Sequence, residues 1–301
     1  MYNRILIPVD GSKTAESVLP YARVLARTLA IPVALLEVLD VAEALRHVPA
    51  ERAAHLDTRV GDIERLRQDY LQKLAATFSG ISVECIVEKG RPEEVIIEKA
   101  AADHATLIAM ATHGRSGMSR WLLGSIAEKV LRGSANPLLL VRGNEEAVTE
   151  GDAVLKAIIV PLDGSEVAEC ALPMAAKLAR MFQLEMILFR AYELPASAYY
   201  GKETYLPDYE QLTAKLREEA AAYLDGKIES LKAEGVEKVS SELMEGPGPD
   251  EIIEYARKSP NALITMCTHG RSGVQRWVLG SVTEKVVRHS GDPVLVVRAG
   301  R

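Results

Sequence analysis

Cysteine, aromatic side chains and long apolar runs are all scarce in this chain, and each scarcity removes a class of protein. There are three cysteines in 301 residues, Cys85, Cys170 and Cys267. They are odd in number and far apart. They show neither metal-ligand spacing nor a disulfide framework, which favours a reducing compartment. Aromatics are 5% of the chain, so any core must be aliphatic. No stretch of about 18 apolar residues occurs, and nothing reads as a membrane span. The net charge is −6, and Lys and Arg (36) are outnumbered by Asp and Glu (42). That balance argues against a general nucleic-acid surface. Three familiar signatures are missing as well. There is no G-x-x-x-x-G-K-[ST] phosphate loop, no G-x-G-x-x-G after the first strand and no G-x-S-x-G nucleophile elbow. Met1-Tyr2-Asn3-Arg4 runs directly into the strand-like ILIPV, which reads as a chain without a signal peptide. The expected location is the cytoplasm.

What is present is a duplication. THGRSGMSRWLLGSIAEKV (Thr112 to Val130) returns as THGRSGVQRWVLGSVTEKV (Thr268 to Val286), identical at 14 of 19 positions. A period of about 150 residues means a repeated domain rather than a solenoid. Hydrophobic content of 48% is ample for two packed cores. The polar stretch GNEEAVTEGDA separates the copies. The expected division is domain one over 1–143, a linker over 144–154 and domain two over 155–301.

Each copy opens on an aliphatic run that ends in Asp-Gly-Ser: RILIPVDGS from Arg4 and KAIIVPLDGS from Lys156. Such runs read as strands buried on both faces. In copy one a helical stretch follows, with Val18, Tyr21, Ala22, Leu25 and Leu29 at helical spacing. Strands are then expected at Val33–Leu39, Ser82–Glu88, Thr106–Ala111 and Leu138–Val141. Helices are expected at Thr58–Phe78, Pro92–Ala102 and Ser125–Arg132. In copy two, strands are expected near 157–162, 185–191, 236–243, 262–267 and 294–297. The order βαβαβαβαβ predicts an α/β protein with a parallel sheet covered on both faces. Asp10 to Asp163 spans 153 residues, and Gly114 to Gly270 spans 156. The three-residue difference is expected in the irregular connections after strand two, Asp40–Asp57 and Glu193–Pro207.

The candidate chemistry lies in Gly-x9-Gly-Ser, that is Gly114, Gly124 and Ser125, and again Gly270, Gly280 and Ser281. Glycine lets backbone approach a ligand closely. A helix start offers free N–H groups and partial positive charge, which suit phosphate. The plainer alternative is a helix start with Ser as its N-cap. Asp10 and Asp163 end the first strands, at the same edge as the loop. They read either as ligand contacts or as Asx turns with helix caps. His113 and His269 read as structural or as neutral phosphate contacts, and Arg115 and Arg271 as bidentate phosphate ligands. Trp121 and Trp277 read as packing for the loop. No metal site is visible.

On these residues the chain resembles the universal stress protein family in its tandem two-domain form. The resemblance rests on ILIPVDGS and IIVPLDGS, MATHGRSG and MCTHGRSG, LGSIAEKV and LGSVTEKV, and NPLLLVR and DPVLVVR, and it spans nearly the whole chain. It implies two Rossmann-like domains, each a five-stranded parallel sheet of order 3-2-1-4-5, forming an intrachain pseudo-dimer and leaving a homo-oligomer open. It also implies ATP, carried with or without Mg2+, as the ligand. The family pattern is G-x2-G-x9-G-[ST], and here Ala111 and Cys267 replace the first Gly. By position, Pro8, Val9, Asp10, Pro161, Leu162 and Asp163 would line the adenosine. Val38 and Ala191 would meet the adenine edge, and Met110 and Met266 would pack beneath the base. Thr112 and Thr268 lie in the same motif. Ile126, Ala127, Val282 and Thr283 would supply the N–H groups of the helix start.

The function implied is a cytoplasmic, ATP-binding stress-response switch. No base or catalytic metal cluster is visible, so any hydrolysis would be slow. The alternative is a scaffold of the same family that binds a protein partner and no nucleotide. A nucleotidyl transferase or ATP pyrophosphatase would need loop signatures after strand one that Asp-Gly-Ser-Lys-Thr lacks. The protein partner is not legible.

Overall fold

The computed structural model describes residues 2–40, 56–113, 123–143, 149–194, 209–268 and 280–298. The chain divides into two compact units, Met1–Val154 and Leu155–Arg301. The first runs β1 (Arg4–Val9), α1 (Lys13–Glu16), α2 (Leu19–Leu29), β2 (Val33–Leu39), α3 (Leu56–Ala75), β3 (Val83–Lys89), α4 (Pro92–Ala101), β4 (Thr106–Ala111), α5 (Ser125–Gly133) and β5 (Leu138–Val141). The second repeats it: β6 (Ala157–Pro161), α6 (Glu166–Glu169), α7 (Leu172–Phe182), β7 (Glu185–Tyr192), α8 (Tyr209–Ala233), β8 (Val239–Glu245), α9 (Gly248–Lys258), β9 (Ala262–Cys267), α10 (Ser281–His289) and β10 (Val294–Val297).

Strand order in the first unit is β3-β2-β1-β4-β5, with each neighbouring pair parallel. In the second it is β8-β7-β6-β9-β10, again parallel. Each unit is thus the Rossmann-like α/β sheet of order 3-2-1-4-5. Apolar content places the strands. Ile5, Leu6, Ile7, Leu107, Ile108 and Ala109 are all 0% exposed, as strands covered by helices on both faces must be. β3 lies at an edge and mixes Glu84, Glu88 and Lys89 into its run, which blunts further pairing.

The helical stretch after β1 is broken rather than continuous. Pro20 sits in the first turn of α2 and has no N–H to give the carbonyl of Glu16, so the chain restarts there. Pro173 does the same in α7.

The three-residue length difference is not in the connections after β2 and β7. Tyr70 donates to Glu16 at 3.1 Å and Tyr223 to Glu169 at 2.7 Å, so the 153-residue offset still holds at those helices (223 − 70 = 153). At the turns after β3 and β8, Gly90 (φ 147°) answers to Gly246 (φ 145°), and the offset has become 156 (246 − 90). α8 has 25 residues against 20 in α3, and the following loop is two shorter, 234–238 against 76–82. One added helical turn, partly offset by a tighter return, accounts for the difference.

Residues 149–153 fall in the stretch read as a linker, and they are tied to the first unit. The Arg23 guanidinium, 2% exposed, donates to the carbonyls of Thr149 and Gly151 and to Thr77 Oγ1. Arg27 pairs with Asp152, and Ala153 N donates to the Pro20 carbonyl at 3.2 Å.

Candidate functional site

The Asp-Gly-Ser turn is the same in both units. Asp10 Oδ1 accepts from Ser12 N at 3.0 Å and from Ser12 Oγ at 2.6 Å. Asp163 Oδ1 accepts from Ser165 N at 2.9 Å and Ser165 Oγ at 2.6 Å. Each Ser Oγ in turn accepts from a backbone N–H of the short helix, Ala15 at 3.1 Å and Ala168 at 3.2 Å. The intervening glycines have φ 82° and 88°, a region that side chains with a Cβ avoid. The Asx-turn reading is therefore realised, with Ser rather than Asp as the cap. The turn also holds each Asp at the carboxyl edge of its sheet, where an α/β fold binds ligands.

The second element is the helix start. Gly124 and Gly280 occupy the N-cap positions of α5 and α10 in extended conformation, and neither helix has a side-chain cap bond. Ser125 and Ser281 stand at the first helical position, so the reading of Ser as N-cap is corrected. The first N–H groups face outward without a capping oxygen of their own, an arrangement that favours an anion. Gly124 N donates to the Thr112 carbonyl at 2.8 Å, and Gly280 N to that of Thr268 at 2.7 Å. A Cβ added at Gly124 would meet Thr112 O at 3.0 Å. The strand end itself thus leaves little room for a side chain here, before any ligand is considered.

The expected residues of the first unit gather at that edge. Pro8 and Val9 close β1, and Met110 and Ala111 close β4, with Asp10 and Val38 beside them. Ala111 and Cys267 are the last residues of β4 and β9, paired with Val141 and Val297, with no positive φ. Extended backbone is why a residue other than Gly fits there. Thr112 is buried, and its Oγ1 lies 3.0 Å from His113 Nδ1. Burial, helped by the Arg142 charge, pushes the His113 imidazole below its ordinary value, so it is neutral at pH 7. Ala127 is buried and Ile126 is 38% exposed. Gly114, Arg115, His269, Gly270, Arg271, Trp121 and Trp277 lie outside the described residues.

In the second unit these elements enclose a cavity of about 330 Å³. Pro161, Leu162 and Asp163 line it from the end of β6 and Ala191 from β7. Met266 and Cys267 line it from β9, and Gly280, Ser281, Val282 and Thr283 from the start of α10. Ten of the residues singled out in the sequence therefore meet at one opening, while Thr268 is buried beside it. Four lining residues were not anticipated: Ala168, Phe189, Gly248 and Ile252. Phe189 was readable, since it lies two residues before Ala191 on the same strand face. Its ring packs on Tyr255 of α9, with centroids 5.3 Å apart. Gly248 and Ile252 belong to α9, far away in sequence. The wall is thus mostly apolar, with polar groups at the Asp163 turn and the helix start. The volume falls at the small end of the roughly 300–1,000 Å³ usual for ligand sites.

Behind the second strand the two units diverge. Glu37 is 2% exposed, and its Oε1 lies 3.0 Å from Arg67 Nη1. The register of β1 with β2 and of β6 with β7 puts Arg190 at the matching position. Its guanidinium stacks over the Tyr223 ring, 4.8 Å from the centroid. Tyr223 shares Glu169 with Lys227, whose Nζ is 2.6 Å from Oε2. Among the described residues no group of three or more His, Cys, Asp or Glu is placed to hold a metal ion. No helix among them is long and apolar enough to cross a membrane.

Comparison with known proteins agrees with this architecture. The universal stress protein family matches the chain twice, over residues 1–142 and 155–298. A universal stress protein of Methanocaldococcus jannaschii is 34% identical over 154 residues, 50% of this chain and 86% of that protein. Another, of Mycolicibacterium smegmatis, is 23% identical over 310 aligned positions, 98% of this chain and 96% of that protein. The crystal structure of a universal stress protein from Archaeoglobus fulgidus shares the fold, with a TM-score of 0.71 at 24% identity over 100% of both chains. Both halves of the chain carry the match, and the protein belongs to the universal stress protein family in a form with two copies of the domain.

Proposed function

We propose that the protein binds an adenine nucleotide and acts as a nucleotide-dependent stress-response switch in the cytoplasm. The observation that carries this reading is the cavity of the second unit, which runs from an apolar wall to an uncapped helix start. A purine is flat and apolar-faced and suits the wall made by Leu162, Phe189, Ala191, Ile252 and Met266. The phosphates suit the N–H groups of Ser281, Val282 and Thr283, with the Ser281 hydroxyl beside them. Mg2+ would arrive with the phosphates rather than on a protein cage. The first unit repeats the turn and the helix start, and would hold a second nucleotide through Pro8, Val9, Asp10, Val38, Met110 and the residues from Gly124 to Ala127.

Hydrolysis would be slow. The carboxylate lining the cavity, Asp163, already accepts two hydrogen bonds from Ser165 at its Oδ1, which leaves it poorly disposed as a general base. The test is to purify the protein without added ligand, identify retained nucleotide by mass spectrometry and titrate ATP calorimetrically. Retained or millimolar-binding adenine nucleotide is expected. No heat at millimolar ATP, with the protein folded, would leave the partner-binding scaffold as the better account. The observation that favours that second reading is the buried Cys267 side chain at the family's first-glycine position.

A further inference from the structure

The two helix starts share their backbone bonds and differ in one side-chain bond. In each, the N-cap glycine donates to a threonine carbonyl, and the N–H of a glutamate four residues on, Glu128 or Glu284, donates to the glycine carbonyl at 2.9 Å. In the second unit Thr283, 2% exposed, adds a bond from its Oγ1 to the Cys267 carbonyl at 2.8 Å. In the first unit the matching residue is Ala127, 3% exposed, which has no hydroxyl to give. The added bond joins the strand end that lines the apolar wall to the helix start that would meet the phosphates. Thr283 and Cys267 both line the cavity. A ligand spanning the two must find them at a set separation, and any looseness is removed at a cost in affinity.

We infer that Thr283 is a positioning residue that makes the second site the tighter of the two, by fixing the start of α10 to the Cys267 carbonyl before the ligand arrives. The inference rests on the adenine-nucleotide reading above. It also reverses the ranking that the bulk of Cys267 invites. The carbonyl that replaces the family's first glycine is the one that receives the extra bond.

The test uses the full chain. Hydrogen exchange is followed in peptides spanning 280–290 and 124–134 during an ATP titration, so that each unit reports its own occupancy. In the wild-type protein the second peptide is protected at lower ATP than the first. Thr283→Val keeps the shape and removes the hydroxyl, and should raise the midpoint of the second unit roughly three- to tenfold. The first unit is unmoved. Thr283→Ser should restore the wild-type midpoint, which a role in packing alone would not predict. Ala127→Thr should lower the midpoint of the first unit. A Thr283→Val protein that titrates as wild type in the second unit overturns the inference, as does failure of the Ser variant to restore it. Absence of protection in both units of the wild-type protein overturns the nucleotide reading instead, and this inference with it.

Discussion

In each unit an Asp-Gly-Ser turn lies beside the end of the second strand, and only the turn is the same twice. The Ser Oγ to Asp Oδ1 distance is 2.6 Å in both copies. One strand over, a buried Glu37 paired with Arg67 is replaced by Arg190 stacked on Tyr223. The change came as a set. The position of Arg67 in α3 is taken in α8 by Ala220, 1% exposed, at the same 153-residue offset. A buried carboxylate needs its cation, and where the strand carries the cation instead, the helix position that held Arg67 is a small buried alanine. The turn is made of short-range bonds among three consecutive residues and is copied whole. The flank is made of long-range pairs and can be exchanged as long as charge and volume balance.

That contrast can be tested by substitution, with each unit followed separately in single-tryptophan chains that keep Trp121 or Trp277 and carry Phe at the other position. Arg67→Ala should have the largest effect. It removes the Arg67 cation from a carboxylate 2% exposed, and should cost the first unit roughly 2–3 kcal/mol, somewhat below a fully buried pair because Arg67 itself is 29% exposed. Arg190→Ala removes a cation–π contact and should cost about 1 kcal/mol. Equal losses in denaturant unfolding would mean that the two flanks are not different in kind.

The next test lies at the start of the last strand. Asn136 donates to the carbonyls of Asp103 and Thr106 at 2.9 and 3.0 Å. The second unit has Asp292 at the same place, its N donating to Ser290 Oγ as that of Asn136 does to Ser134 Oγ. Burial raises the Asp292 carboxyl to about 6. The folded pKa is above the ordinary value of about 3.9, so the folded state favours the protonated form. The contribution is fully present below about pH 4 and is lost as pH rises through about 6. Asp292→Asn should therefore raise the melting temperature of the second unit by about 4 °C at pH 7.5 and leave it unchanged at pH 4. A shift of the same size at both pH values would contradict this. The smallest effect is expected where the units agree. Ser12→Ala and Ser165→Ala each remove one cap and should lower melting by about 2–3 °C, equally in the two units.

Much of the fold was legible because it is written twice. Thr106–Ala111 and Ala262–Cys267 are mostly apolar runs, each carrying one buried threonine (Thr106, Thr265) and each followed by a polar Thr, and they read as strands without tertiary information. β8 was less so: Val236 looks like its start, but Gly235 at φ 86° is still ending the preceding helix, and pairing begins at Val239. The extra turn of α8 was hidden because helical periodicity has no marker for where a helix stops when the next breaker is itself displaced. At the site, the residues carried by motifs were readable as a set, since strand ends and helix starts share one edge. Gly248 and Ile252 were not, because only the crossover that packs α9 on the sheet brings them to the opening. Thr283 was visible as a letter, but its bond to Cys267 joins residues 16 apart and needed coordinates.

In the proposed complex adenine lies against the wall of the second unit with its phosphates at the start of α10. Photolabelling the full chain with an azidoadenine nucleotide tests it most directly. Covalent label is expected on peptides carrying Phe189 to Ala191 or Ile252, abolished by excess unlabelled ATP. Label that is absent, that is not displaced by ATP, or that falls only on peptides away from these strand ends would contradict it.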